Sequence, residues 1–265
     1  INELMVTPML FSDATSTPAK ALKKEANRRR KLWDEDSPDK NKAGNRLVII
    51  GYDGDKKYEN VPSYIPGDTI KKVNGKTMTL IEFFVHSPFK DSLVEGRAES
   101  DKNVTSIVMQ VRFKKSSSDT KPSALYLFGG DADHYIWEEI QNQSSAHNNG
   151  GKLDFDIFLA PHHCSWTYFN DVPYKKGETD EPVKSSKKLI KDHKVSGAVI
   201  IASSKQINDD DDNPPHYPAK KEYVKLIGSS DKFISLAEEP DSKNSKPVVY
   251  EVTSSGFLRK DKNQQ

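Results

Sequence analysis

One cysteine, Cys164, is the only thiol in the 265 residues. That excludes an internal disulfide framework and a structural zinc site built on cysteine. No apolar run approaches the roughly 20 residues that span a bilayer. No secretory leader is visible either, so a cytoplasmic location with no membrane partner is expected. An excess of one charge is missing too. Forty Lys and Arg face 39 Asp and Glu, so nucleic acid would have to be held by a local patch, not a global field. Hydrophobic residues, at 34%, are scarce and charged ones, at 30%, are plentiful. This combination predicts a modest core with long polar loops.

What is present reads as strands in runs with interspersed helices, an α/β class. Residues 4–11 read as a short extended segment. Thr17 is expected to cap a helix running to about Trp33, with Pro18 in its first turn. Strands are expected at 46–52, 78–89, 104–113, 124–128, 155–160 and 197–204, and helices at 131–143, 185–194 and 219–228. FISLAE and VVYEVTSSGF are expected to form a terminal strand pair. Residues 90–103 and 170–184 read as polar loops, and an acidic run covers Asp209 to Asp212.

Two strand ends carry chemistry. The run Asp154-Phe-Asp-Ile-Phe-Leu-Ala-Pro-His-His-Cys-Ser165 ends an apolar strand on paired imidazoles. Ala124-Leu-Tyr-Leu-Phe-Gly-Gly-Asp131 ends another on a carboxylate after two glycines, which permit a tight turn. Asp131 is a candidate ligand or a helix N-cap, with Asp133 the competing acid. His162 and His163 are adjacent and project differently, so one can bind metal while the other makes a hydrogen bond. His86 also ends an apolar strand, and His216 lies in a loop before a helix. His134, His147 and His193 read as surface residues. Ser165 and Trp166 are candidates to shape a pocket, and Cys164 reads as a half-buried spacer. The cluster around Arg28, Arg29 and Arg30 reads either as a solvated helix face or as a contact for a nucleic-acid backbone.

The order of these segments resembles the metallo-β-lactamase superfamily, in particular the branch that includes the metal-dependent domain of competence-type DNA-uptake channels. The matching segments are Gly130-Asp131, Pro161-His162-His163-Cys164-Ser165 and Asn213-Pro214-Pro215-His216-Tyr217-Pro218, and the likeness covers roughly residues 78–228. Two departures stand out. Cys164 occupies the place of a glycine, which narrows the pocket, and the HxHxDH motif of the superfamily is absent.

The resemblance implies an αββα sandwich of which residues 1–265 form the C-terminal portion. It implies a metal-dependent hydrolase, foremost a phosphodiesterase or nuclease using metal-activated water. The alternatives are a degenerate, non-catalytic binding or regulatory subunit, and a hydrolase of small esters, lactones or lactams. The implied metal ligands are His86, Asp131, His162 and His163, with Asp131 and His163 catalytic. His216 and Ser165 would contact substrate. Two zinc ions are implied, with manganese or magnesium as alternatives. With only one of His162 and His163 binding, about three protein ligands remain, too few for two tetrahedral sites. With the chain starting at Ile1, this predicts that the other ligands come from the N-terminal half of the domain, as a separate or cleaved chain. A half-sandwich would also expose one apolar sheet face, calling for cover from a second chain.

Overall fold

The computed structural model describes residues 1–12, 14–51, 58–90, 102–171, 180–210 and 214–260. Most of the two expected polar loops, together with Asp211, Asp212 and Asn213, lies outside these. The chain divides into two units, Ile1–Ile107 and Val108–Gln265. Among the described residues no helix is long and apolar enough to cross a membrane. The class is mixed α/β.

The first unit opens with strand β1 (Glu3–Val6), a single helical turn α1 (Met9–Ser12) and helix α2 (Thr17–Asp34). Residues 4–11 are thus half strand and half helical turn. Ser16, not Thr17, caps α2: its hydroxyl accepts from the Ala19 N–H at 3.3 Å. Strand β2 (Arg46–Ile50) lies parallel between β1 and β3 (Ser63–Tyr64). Leu4, Val6, Leu47, Ile49, Tyr58 and Val61 form its core, against Leu10, Phe11 and Trp33. One face of the LVII strand, Leu47 and Ile49, is therefore covered within its own unit. Strand β4 (Thr69–Ile70), the small hairpin β5 (Lys72–Val73) and β6 (Lys76–Thr77), and strand β7 (Ile81–Ser87) follow, with β4 antiparallel to β7.

The second unit alternates strands and helices. Its elements are β8 (Val108–Phe113), β9 (Ala124–Phe128), α3 (His134–Ala146), β10 (Phe155–Leu159), α4 (Lys184–His193), β11 (Lys194–Ala202), α5 (Tyr217–Ile227) and β12 (Phe233–Ser235). Strand β8 is shorter than expected and buries Val108 to Val111 without alternation. The spatial order is β12-β11-β10-β9-β8. Strands β9 to β12 are parallel and β8 is antiparallel to β9. Parallel neighbours require crossovers, which the three helices supply. One consequence decides where chemistry sits: the C-terminal ends of β9, β10 and β11 lie side by side, the usual place for sites on such sheets.

The two faces of this sheet are closed differently. On the helix side Trp137, Phe158, Tyr168, Phe169 and Tyr223 form a buried aromatic cluster with ring centroids about 5–6 Å apart. On the other side Ile157, Ile201 and Ile234 meet Val248, Tyr250 and Phe257. The last two belong to a terminal hairpin, β13 (Tyr250–Thr253) with β14 (Gly256–Arg259). The expected pairing of FISLAE with VVYEVTSSGF does not occur. FIS joins the parallel sheet, and the later segment pairs with itself because Ser254-Ser255 permits a tight turn. The C-terminal segment thus supplies in cis part of the cover that was expected from a second chain.

Candidate metal centre

The site begins with two turns that lock together. After β9 the chain turns at Gly129 and Gly130. A Cβ at Gly129 would come within 2.3 Å of the Trp137 ring, so only glycine lets the turn lie on the helix-side core. Asp133, the competing acid, is the cap of α3: its carboxylate accepts the Ile136 N–H at 3.1 Å. That frees Asp131 from capping. After β10, Pro161 leads into three consecutive left-handed residues, His162 (φ 48), His163 (φ 55) and Cys164 (φ 68). Each non-glycine residue in that region costs roughly 1–2 kcal/mol. Such strain persists where the surroundings over-determine it, and it concentrates at functional sites. Here the surroundings include the His162 N–H donated to the Gly130 carbonyl at 2.9 Å and the His216 N–H donated to the Cys164 carbonyl at 3.0 Å.

The left-handed turn presents His163 outward. Its Nδ1 lies 2.8 Å from the Ser203 carbonyl, which can only accept, so Nδ1 carries the proton. In the neutral ring Nε2 then holds a lone pair, 3.9 Å from Asp131 Oδ1. That distance is too long for a direct hydrogen bond. A neutral Nε2 and a carboxylate oxygen are both acceptors. A tetrahedral zinc ion with ligand distances of about 2.0–2.1 Å places its donors roughly 3.3 Å apart. An imidazole whose far nitrogen donates to a backbone carbonyl is also the usual support for a metal-binding histidine. The donor types of this pair are ones that zinc accepts, and their 3.9 Å separation is wider than that of two ligands on one zinc ion. The side chains are 59% and 47% exposed, so the pair is open to solvent.

The other expected site residues fall elsewhere. His162 Nδ1 sits 3.3 Å from the Thr167 hydroxyl. Ser165 is buried, and its hydroxyl accepts from Thr167 N and Oγ1; it caps a short 3-10 turn and does not face a substrate. His216 is also buried. Its Nδ1 accepts the Trp166 N–H at 2.8 Å, which leaves Nε2 as the protonated nitrogen of the neutral ring and makes this ring a support for the turn. His86 lies in the first unit, buried at the end of β7 and edge-on to Phe84. Among the described residues no three His, Cys, Asp or Glu side chains gather closely enough to hold a metal ion, so the expected four-residue ligand set is not assembled. Cys164 is fully buried, not half-buried, and burial pushes its thiol well above the usual range, which removes it as nucleophile or ligand.

The arginine cluster on α2 is occupied within the fold. Arg28 and Arg29 both bond Glu25, and these bonds hold that carboxyl down to about 2. Arg28 also reaches Asn45 and the Gly44 carbonyl. Arg29 is buried and donates to the carbonyls of Arg46 and Ile1. Arg30 pairs with Asp34 and lies over the Tyr58 ring. Arg29 is buried and its donors are taken up within the fold, while Arg28 and Arg30 stay 48% and 31% exposed. A residue the sequence left on the surface proves buried: His134, 4% exposed, has no hydrogen bond at either ring nitrogen, and its Nε2 lies 3.8 Å from Asp171. Its position one residue inside a helix start held no signal of burial.

No family model matches the chain, and no curated protein or solved structure matches it.

Proposed function

We propose that this chain contributes Asp131 and His163 to the metal site of a metal-dependent hydrolase of the metallo-β-lactamase type, with an αββα sandwich as the complete fold. One observation carries the metal reading: the His163 Nε2 lone pair and the Asp131 carboxylate face each other across 3.9 Å, with the imidazole tautomer fixed by the Ser203 carbonyl. A zinc ion, or manganese or magnesium in its place, would supply Lewis acidity and an activated water. The chain's own contribution is positioning. The left-handed turn raises His163 above the strand end, and the Gly129-Gly130 turn sets the Asp131 carboxylate opposite it. Two donors do not close a tetrahedral shell. The remainder would come from a partner segment, the N-terminal half that the motif order implies. Phosphodiesters are the proposed substrate class, on the likeness of the motif order to a DNA-handling branch; helix α2 adds no support to it.

A second reading, a non-catalytic subunit of the same fold, is favoured by the lack of a three-donor cluster among the described residues. Zinc titration of the purified protein, followed by metal analysis after desalting, separates the two. Binding that Asp131→Ala and His163→Ala both abolish, together with zinc-dependent cleavage of a p-nitrophenyl phosphodiester by the complete assembly, is expected. Zinc retention unchanged by either substitution would remove the metal reading. Zinc binding without cleavage would leave the non-catalytic subunit.

A further inference from the structure

The buried ring of His134 has no role in the candidate metal centre. It is 4% exposed, and neither nitrogen makes a hydrogen bond. A neutral imidazole carries one donor and one acceptor, so burial leaves both unsatisfied. Native structures seldom keep such a group without a reason.

A carboxylate stands just out of reach. Asp171 Oδ1 lies 3.8 Å from His134 Nε2, about 1 Å beyond a hydrogen bond. The other Asp171 oxygen accepts the Tyr135 hydroxyl at 2.5 Å, and the Tyr135 ring lies against the imidazole with centroids 3.9 Å apart. The chain beneath Asp171 is pinned: Asn170 donates to the Glu181 carbonyl at 2.9 Å, and the Val183 N–H donates to the Phe169 carbonyl at 2.8 Å. A small rotation of the Asp171 side chain closes the gap.

The other ionisable groups around the ring are engaged or turned elsewhere. On its own helix, Asp133 accepts the Ile136 N–H, and Glu138, one turn on, is exposed. Asp131, three residues earlier, faces His163. From the short turn Trp166–Tyr168, the Tyr168 hydroxyl donates to the Ser186 carbonyl. Helix α4, which packs on α3, buries Ser186, Leu189 and Ile190, none of them charged. The start of α3 disfavours a cation, and the Asp171 carboxylate is the group placed to offset that.

We propose that His134 and Asp171 form a proton-operated latch. A proton taken from water gives the ring its second N–H, Nε2 donates to Asp171 Oδ1, and the segment after the Trp166–Tyr168 turn is clamped to the first turn of α3. Loss of the proton reopens the gap. A contact made by the charged ring adds stability at low pH and loses it as pH rises through the ring's titration. The latch does not depend on the metal reading.

Urea unfolding of the parent protein, His134→Phe, Asp171→Asn and the double variant tests this at about pH 5.5 and about pH 8, on either side of histidine titration. Asn keeps an oxygen for the Tyr135 hydroxyl. At the lower pH, Asp171→Asn should reduce the folding equilibrium constant about tenfold more in the parent than in the His134→Phe background, as loss of a charge-assisted bond does. At the higher pH that difference should vanish. Coupling that is absent, equal at the two values, or larger at the higher one would overturn the proposal. Nitrogen NMR of the parent protein, with the His134 ring assigned through its own backbone, needs no variant to fold. Both ring nitrogens should carry protons at the lower pH in the folded chain, and a ring that stays neutral there would overturn the latch as well.

Discussion

The two ends of strand β10 each carry a histidine and an aspartate, and the two pairs behave in opposite ways. Before the strand, Asp154 Oδ1 bonds His193 Nδ1 directly at 2.9 Å, on backbone of ordinary conformation. After it, His163 and Asp131 stand 3.9 Å apart on a left-handed turn, with the far imidazole nitrogen held by a carbonyl. The first pair is complete in itself and ties α4 to the sheet. The second is held open at a cost in backbone energy. Residue type alone therefore says little about function. What distinguishes the second pair is that the fold sets its two groups opposite each other without a direct hydrogen bond between them.

The largest effect that would sharpen this contrast is on metal affinity. Asp131→Ala or His163→Ala should lower zinc affinity by more than about 100-fold, beyond the 10–100-fold typical of a supporting residue. Asp154→Ala and His193→Ala should leave it unchanged. Calorimetric zinc titration of all four variants checks this, and equal losses at both ends would break the distinction.

The glycines at the two ends offer the next test. Gly129→Ala drives a methyl into the Trp137 ring and should destabilise by about 1–3 kcal/mol. Gly151→Ala, near Asp154, meets its nearest neighbour at 3.8 Å, an ordinary contact, and should stay within about 0.5 kcal/mol of the parent. Urea unfolding of the two proteins gives the comparison directly.

Backbone strain predicts a reversal of sign. At position 163 glycine should be more stable than alanine by about 1–2 kcal/mol, because φ is 55 there. At position 193, the last residue of α4, alanine should be better by up to about 1 kcal/mol. Thermal unfolding of the four variants measures both differences. The smallest effect concerns the satisfied pair: Asp154→Asn should cost about 0.5–1 kcal/mol, as expected for one partly exposed contact. A loss of several kcal/mol would mean that this end, too, carries more than packing.

Much of the second unit was legible beforehand. The alternation of apolar runs with amphipathic segments marked β9, α3, β10, α4, β11 and α5 to within a few residues, because burial on a period of 2 or 3.6 is written locally. Gly129-Gly130 and Pro161 announced the turns, since each restricts or frees the backbone by its own chemistry. Asp131 could not be told from Asp133 as a cap, because both acids precede the same helix and only the Asp133 bond to the Ile136 N–H separates them. The burial of Ser165 and His216 was not legible, because the groups they bond, on Thr167 and Trp166, meet them only in the folded turn. On α2 the partners of Arg28 and Arg29 were not legible either, because the carbonyls of Ile1, Gly44 and Arg46 come from distant segments.

By itself, then, the sequence determined the α/β class, the strand ends at Gly-Gly-Asp and Pro-His-His, and the lack of any cysteine-based site. These follow from composition and short-range pattern, which local physics reads directly. Only the tertiary structure decided that His163, not His162, faces Asp131. It also decided that the Ser203 carbonyl selects the tautomer and that the C-terminal hairpin packs on one sheet face. Those outcomes depend on which parallel strands become neighbours and on a left-handed backbone that no local preference of His-His-Cys would choose. The energy that holds that turn comes from contacts with Gly130 and His216, far away in sequence.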